Sequence, residues 1–352
     1  MPNEQGGAAQ DKAARDEPAR RDRQPTLKTI ARLTGLGITT VSRALKNGPE
    51  LSVATRARVR EIADQLGYRP HRAGVRLRTG RTYVIGLILD QNNTVAEFEK
   101  RIILGVSTVL ADTNYHLVVM PLMQNADLME PIRYFVETGS ADGLIFTHTQ
   151  PHDQRVRYLL DRDFPFICHG RTKLEEPHPF YDFDNERFTV DAVHRLSERG
   201  RKRLLLVAPL PNLTCSGHMR EGFRRAVAAA GVEGEVLAGV HLDSDPAEFR
   251  LEAKRLALGP NAPDGIICAN ETRSLALVAG LQDGGLTVGQ DVDVIGKDTS
   301  DLLDHVTPSI DSFYEDLIFA GEELARLLLM RIGGATVNQL QTIAEPRFHR
   351  RT

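Results

Sequence analysis

Cysteine is scarce in this chain. Its three copies, Cys168, Cys215 and Cys268, lie far apart among 352 residues. No spacing of two ligands a few residues apart exists, so neither a disulfide framework nor a structural metal site is expected. Isolated thiols of this kind suit a reducing cytoplasm. Long apolar runs are missing too, so no helical membrane span is predicted. The first 24 residues carry no apolar stretch of the sort a secretory signal needs, and their Gln, Gly, Ala, Asp and Arg read as a disordered tail. A cytoplasmic location follows from these absences together.

Catalytic signatures are likewise missing. There is no GxSxG elbow, no GxxxxGK[ST] phosphate cradle and no HExxH pair. His148, His152, His169 and His178 are scattered near loops at spacings that fit no metal site, and solvated or capping roles are expected for them. No catalytic residue, metal or cofactor is therefore predicted, and the chain does not read as an enzyme.

A strong overall charge is also lacking, but its distribution is uneven. The net charge is −3. Residues 25–81 hold twelve Lys or Arg against three Asp or Glu, a net of +9. Residues 1–24 balance at zero, which leaves −12 for the remainder. A basic module on an acidic body binds nucleic acid locally while the rest is repelled from it.

The basic stretch reads as three short helices. The first runs from Leu27 to Leu33, with Ile30 and Ala31 facing inward. A tight turn through Gly35 leads to the second, Ile38 to Lys46, whose inner face carries Val41 and Ala44. Its outer face offers Thr39, Thr40, Ser42, Arg43 and Lys46, side chains suited to a major groove. A third helix starts after Ser52, a good N-cap, and repeats apolar residues at Val59, Ile62, Ala63 and Leu66 before Gly67 stops it. The GxG of the turn is no dinucleotide fingerprint, because no strand precedes it.

After Arg81 the pattern becomes alternating strands and helices. TYVIGLIL, HLVVMP, DGLIF and PFICHG read as one series of strands, with helices at 95–111, 128–137 and 154–162 between them. RLLLVA, EVLAG, DGIICAN and DVDVIGKD form a second series, with helices at 185–198, 218–230, 246–258 and 272–283. Such alternation implies an α/β body of two parallel sheets, with a ligand cleft beyond the carboxyl ends of the strands. The segments SIDSF, a helix at 314–331 and ATVNQLQTI close the chain.

The run TIARLTGLGITTVSRALKN, followed by LGYRP and HRAGVRLRTGRT, resembles the DNA-binding head of the lactose-repressor (LacI/GalR) family of bacterial regulators. The resemblance extends from about Thr26 to the C-terminus. It implies an all-α helix-turn-helix head at 25–69, a hinge at 70–80, and a body at 81–352 with the fold of periplasmic sugar-binding proteins. In that fold the chain crosses three times between subdomains, here 81–182 with 309–333 and 183–308 with 334–352. The resemblance further implies a homodimer on palindromic double-stranded operator DNA, released by a small-molecule effector such as a mono- or disaccharide. The DNA-contacting positions it implies are Thr26, Ile38, Thr39, Thr40, Ser42, Arg43 and Asn47 in the head and His71, Arg72 and Leu77 in the hinge. Ile38 and Thr39 take the two operator-discriminating positions. Leu77 matches a leucine that wedges the minor groove and kinks the duplex. Gly37 stands where the family favours Ser or Thr, at a cost of only a few tenths of a kcal/mol to the helix start. Gly74 replaces a hinge alanine, which weakens a helix there by about 1 kcal/mol.

For the effector, the resemblance implies Phe98, Asp184, Arg220, Asn270 and Asp298. Arg220 lies one place after the position where the family carries its arginine, which is Met219 here. A shift of one residue turns a helical side chain by about 100°. Lys297 stands beside Asp298 where the family has an aromatic residue. YFVETGSADG and LTCSGHM followed by REGF resemble a branch that regulates α-glucoside use. A contrasting expectation is a sugar receptor or carbohydrate enzyme with a vestigial head.

Overall fold

The computed structural model describes residues 25–69, 76, 79–90, 96–123, 126–242 and 244–350. It divides into two compact units, Met1–Arg81 and Thr82–Thr352. In the first unit, α1 spans Leu27–Thr34, α2 Ile38–Leu45 and α3 Val53–Gln65. Thr26 caps α1: its hydroxyl accepts from the Thr29 amide at 3.3 Å, and the Thr26 amide donates to the Thr29 hydroxyl at 3.1 Å. That reciprocal pair satisfies two amides otherwise orphaned at a helix start. Gly35 then takes φ 70°, a left-handed value that favours glycine, and turns the chain into α2. Ser52 caps α3 by accepting from the Thr55 amide at 3.1 Å. Ile30, Ala31, Val41, Ala44, Val59 and Ala63 form the core of the three-helix unit. Each Ile or Val so buried stabilises by about 1.5–3 kcal/mol. Thr34 is buried as well, and its hydroxyl donates back to the Ile30 carbonyl at 2.8 Å.

The second unit holds two six-stranded sheets. The first sheet contains β1 (Val84–Asp90), β2 (His116–Leu122), β3 (Gly143–Phe146), β4 (Phe166–His169) and β5 (Phe180–Phe183). The second contains β6 (Arg203–Val207), β7 (Glu233–Val236), β8 (Gly265–Cys268), β9 (Asp293–Asp298) and β10 (Asp311–Tyr314). Two late strands, β11 (Gln341–Ala344) and β12 (Arg347–His349), complete them. The orders are β11-β5-β4-β3-β1-β2 and β12-β10-β9-β8-β6-β7. Every pairing is parallel except that of β10 with β12. Ile85 pairs with Leu117 on one side and Gly143 on the other, and Ile266 pairs with Val294 in the second sheet. The central strands are continuous apolar runs because helices cover both their faces.

Helices α4 (Ala96–Leu110), α5 (Met129–Glu137) and α6 (Gln154–Leu160) accompany the first sheet, and α7 (Asn185–Glu198), α8 (Thr214–Ala230), α9 (Pro246–Leu258) and α10 (Glu271–Asp283) the second. The last helix, α11 (Leu317–Ile332), returns to the first core, where Leu317, Ala320 and Leu324 pack with Ile85 and Ile102. It meets α4 through two glycines. A Cβ on Gly105 would lie 2.1 Å from the Ile318 carbonyl oxygen, and one on Gly321 would lie 2.5 Å from that of Ile102.

The strand pairing corrects the late segments. Residues 309–333 do not all belong with the first sheet, because β10 joins β9 of the second. Residues 334–352 do not all belong with the second, because β11 joins β5 of the first. The chain thus passes between the sheets at 183–185, 314–317 and 344–347. Tyr314 ends β10, and α11 begins later than expected because Asp316 caps it, accepting from the Phe319 amide at 3.0 Å. Helix α8 begins earlier than expected, at Thr214. No side chain caps it, but the Thr214 amide and hydroxyl both donate to the Thr149 carbonyl, at 2.9 and 3.1 Å. The strand FYDF at 180–183 is a further element that short length hid.

Candidate functional site

In the first unit, α2 turns Val41 and Ala44 inward. Ile38, Thr39, Arg43 and Lys46 are exposed, whereas Thr40 and Ser42 are half-buried. Thr26 is exposed at the start of α1, where it serves as the cap. Arg43 reaches Glu50 at 3.7 Å, an exposed pair of little energetic weight that leaves the guanidinium able to exchange partners. Asn47 has a structural task. It takes φ 62° after α2, its carbonyl accepts from Arg56 at 3.3 Å, and its side-chain oxygen accepts from Arg60, tying the end of α2 to α3. His71, Arg72 and Leu77 lie outside the described residues, as does the tail at 1–24.

The second unit carries a cleft at the carboxyl ends of both sets of strands, enclosing about 1080 Å³ including its open mouth. Phe98, in the first turn of α4, forms one wall. Its ring centroid lies 5.6 Å from that of His148, which follows β3, and 5.4 Å edge-on from that of His169, which ends β4. From the second sheet come Asn270 and Glu271 at the start of α10, and Lys297 near the end of β9.

A polar network ties these walls together at the first and second crossings. His169 Nε2 lies 3.1 Å from Glu315 Oε1, and Lys297 Nζ lies 2.5 Å from Glu315 Oε2. The same Nζ donates to Asn185 Oδ1 at 3.2 Å and sits 4.3 Å from the centroid of Phe183. Asn185 in turn donates to the Phe183 carbonyl at 3.0 Å. Burial pushes the Glu315 carboxyl upward, but Lys297 and the His169 hydrogen bond outweigh it and hold the group at about 2. A few residues away the balance reverses. Burial pushes the Asp182 carboxyl up to about 6 although Arg171 stands 3.3 Å from it. His218, 4.0 Å from the same carboxylate, is pushed down to about 4 by burial and by the cations Arg171 and Lys173.

Glu271 has a different role. Its carboxylate accepts from the Thr299 and Ser300 amides at 3.1 and 3.2 Å and from the Ser300 hydroxyl at 2.9 Å, holding the loop after β9. Cys215, at the start of α8, also lines the cleft, and burial pushes its thiol up to about 11.

Among the residues expected to meet an effector, the cleft brings together Phe98 and Asn270. Asn270 also caps α10, accepting from the Arg273 amide at 2.9 Å. Three others lie elsewhere. Asp184 caps α7 by accepting from the Arg187 amide at 3.1 Å and faces a separate groove with Arg187 and Asp191, because its neighbour Asn185 takes the inward direction. Arg220 folds back one turn, its Nε donating to the Ser216 hydroxyl at 3.2 Å, while Met219 faces the cleft. Asp298 is fully buried beneath the end of β9 and does not line the cleft, a place that alternation along the strand gives to Lys297. The histidines assigned solvated or capping roles include two wall residues, His148 and His169. Glu315, Asp182 and Lys297 were also missed as a set. The single legible signal was Lys297, a cation that follows the apolar run VIG in β9 and stands where the family has an aromatic residue.

A helix-turn-helix on one unit and a two-sheet cleft on the other are the parts of a DNA-binding regulator. The pattern of the lacI family of bacterial regulatory proteins matches residues 26–71, and that of a periplasmic binding protein-like domain matches residues 193–352. The chain is 31% identical over 327 residues to the HTH-type transcriptional regulator AglR of Rhizobium meliloti, covering 89% of this chain and 88% of that one. It is 30% identical over 334 residues to the regulator CelR of Thermobifida fusca, covering 92% and 97%. A solved CelR–cellobiose complex superimposes with a TM-score of 0.67 at 28% identity, over 93% of this chain and 99% of that one. The lac repressor dimer bound to operator and an anti-inducer shares the fold, with a TM-score of 0.82 at 18% identity over 94% and 98%. The chain belongs to the LacI family and is a DNA-binding transcriptional regulator.

Proposed function

We propose that the protein is a cytoplasmic repressor of genes for carbohydrate uptake and use, binding palindromic operator DNA as a homodimer and released by a mono- or disaccharide. The observation that carries the effector half is the cleft itself. An aromatic residue, Phe98, shares the cleft with carboxylate, amide and imidazole groups, and the lining is drawn from both sheets. Sugar rings offer an apolar face and a rim of hydroxyls, which such a lining matches. The CelR–cellobiose complex supports the reading, and the resemblance of YFVETGSADG and LTCSGHM with REGF to an α-glucoside branch adds α-glucosides to the effectors to be tried.

On the DNA side, Ile38, Thr39, Thr40, Ser42 and Arg43 reach base edges in the major groove, with Thr26 and Asn47 near the backbone. Arg43 gripping a guanine contributes about 1–3 kcal/mol of discrimination. His71, Arg72 and Leu77 engage the operator from the hinge. Two heads are needed because a two-fold site mirrors a two-fold protein. The sugar acts through unequal affinity for the operator-bound and released states, closing the cleft and moving its two walls. No catalytic step is assigned to the chain.

Footprinting with the purified protein tests this reading on palindromes upstream of its own and neighbouring genes, with and without a panel of saccharides. A protected palindrome that a saccharide clears is expected. Protection of no palindrome, or protection that every saccharide leaves unchanged, refutes it.

A further inference from the structure

We propose that the cleft selects uncharged saccharides and turns away the same sugars bearing a carboxylate or phosphate, and that Glu315 sets this choice. The inference rests on the carbohydrate reading and goes further, to the charge class of the effector. Among the described lining residues Lys297 is the one lysine, and there is no arginine. An anionic ligand would look to this ammonium first. Its charge is already matched by Glu315, 2.5 Å away and only 2% exposed. The remaining directions around Nζ are filled by Asn185 Oδ1 and by the ring of Phe183. The Nε2 of His169 is likewise taken, because it faces the other oxygen of the same carboxylate.

The Arg171 guanidinium, which stands behind the lining, is engaged with Asp182 at 3.3 Å. On α8, the side chains presented to the cleft are the thiol of Cys215 and the thioether of Met219, and neither is a cation. An incoming phosphate or carboxylate would therefore meet Asp182 and Glu315 with their cations committed. Sugar hydroxyls, in contrast, can donate to these same carboxylates without displacing any partner. Matched pairs offer an incoming anion no net positive charge, so it gives up its hydration without a charged partner, and a loss of at least about tenfold in affinity follows.

Calorimetric titration of the full-length protein tests the claim with maltose and cellobiose and with their derivatives carrying a phosphate or a carboxylate on one terminal carbon. The expected result is a neutral disaccharide that binds and charged forms at least about tenfold weaker. Glu315→Gln frees the Lys297 charge, so the charged forms should gain at least about tenfold relative to the neutral sugar. Lys297→Met, which removes the cation instead, should leave them excluded. Thermal unfolding of each variant checks that it is folded, and the parent series alone decides the matter if one is not. Charged forms that bind the parent as tightly as the neutral sugar overturn the charge filter but not the carbohydrate reading. Failure of every saccharide, neutral or charged, overturns both.

Discussion

Replacing Lys297 with methionine should destabilise the body by about 3 kcal/mol at pH 7. Glu315 sits at about 2, against an ordinary value of 4.5. Each unit of displacement is worth about 1.4 kcal/mol, so the folded state gains about 3 kcal/mol from keeping this carboxylate ionised. Removing one partner of a buried pair costs about 3–5 kcal/mol by independent measure, because the other charge is left uncompensated. A carboxyl held low contributes stability that is present above about pH 4.5 and lost as the pH falls toward 2. In the variant most of that contribution is gone, and burial pushes Glu315 upward against the remaining His169 hydrogen bond, so the gap between parent and variant should narrow on acidification. A double variant, Lys297→Met with Glu315→Gln, removes both charges and should recover most of the loss. Urea unfolding followed by far-ultraviolet circular dichroism at pH 7, 5 and 4 reads all three proteins. Equal urea midpoints for parent and single variant at pH 7, or a double variant no firmer than the single, would refute the reasoning.

Asp182 carries the opposite sign. Burial holds its carboxyl at about 6, so its contribution is present below about pH 4 and lost as the pH rises through 6. Asp182→Asn should therefore raise stability by about 1–3 kcal/mol at pH 8 and change little at pH 4, read by the same urea titrations. Gly105→Ala drives a methyl into the Ile318 carbonyl and should lower stability by about 1–3 kcal/mol despite alanine's better helix propensity, visible as a lower Tm. Arg43→Ala should weaken operator binding by about 1–3 kcal/mol, read by fluorescence anisotropy with labelled operator. Its unfolding midpoint should not move, because the pair with Glu50 is exposed.

Much of this architecture was legible before any coordinates. Strong 3.6-residue spacing placed α1 to α3 within a residue or two, and near-continuous apolar runs such as RLLLV and GIIC placed the central strands of both sheets. What stayed hidden was non-local. β10 and β11 are four residues each and read alike, and only the partner strand decides which sheet each one joins. The start of α8 depended on the Thr149 carbonyl, 65 residues away in the chain. Phe98 and Asn270, which the family resemblance implied, both line the cleft. Asp184 and Asp298 were misplaced because a carboxylate after a strand serves equally well as a cap or a buried group. The network of His169, Lys297 and Glu315 joins three strands of two sheets, and no spacing along the chain announces it.

The glycine contact between α4 and α11 bears on how a bound molecule could be felt at a distance. Backbones that touch at Gly105 and Gly321 have no side-chain cushion between them, so the two helices can only travel as a single plank. One end of that plank carries Phe98, and the chain leading into it carries Glu315. In the carbohydrate reading proposed above, a sugar held against the aromatic ring would bear on the crossing strand at the same moment, through a rigid bar rather than through one loop.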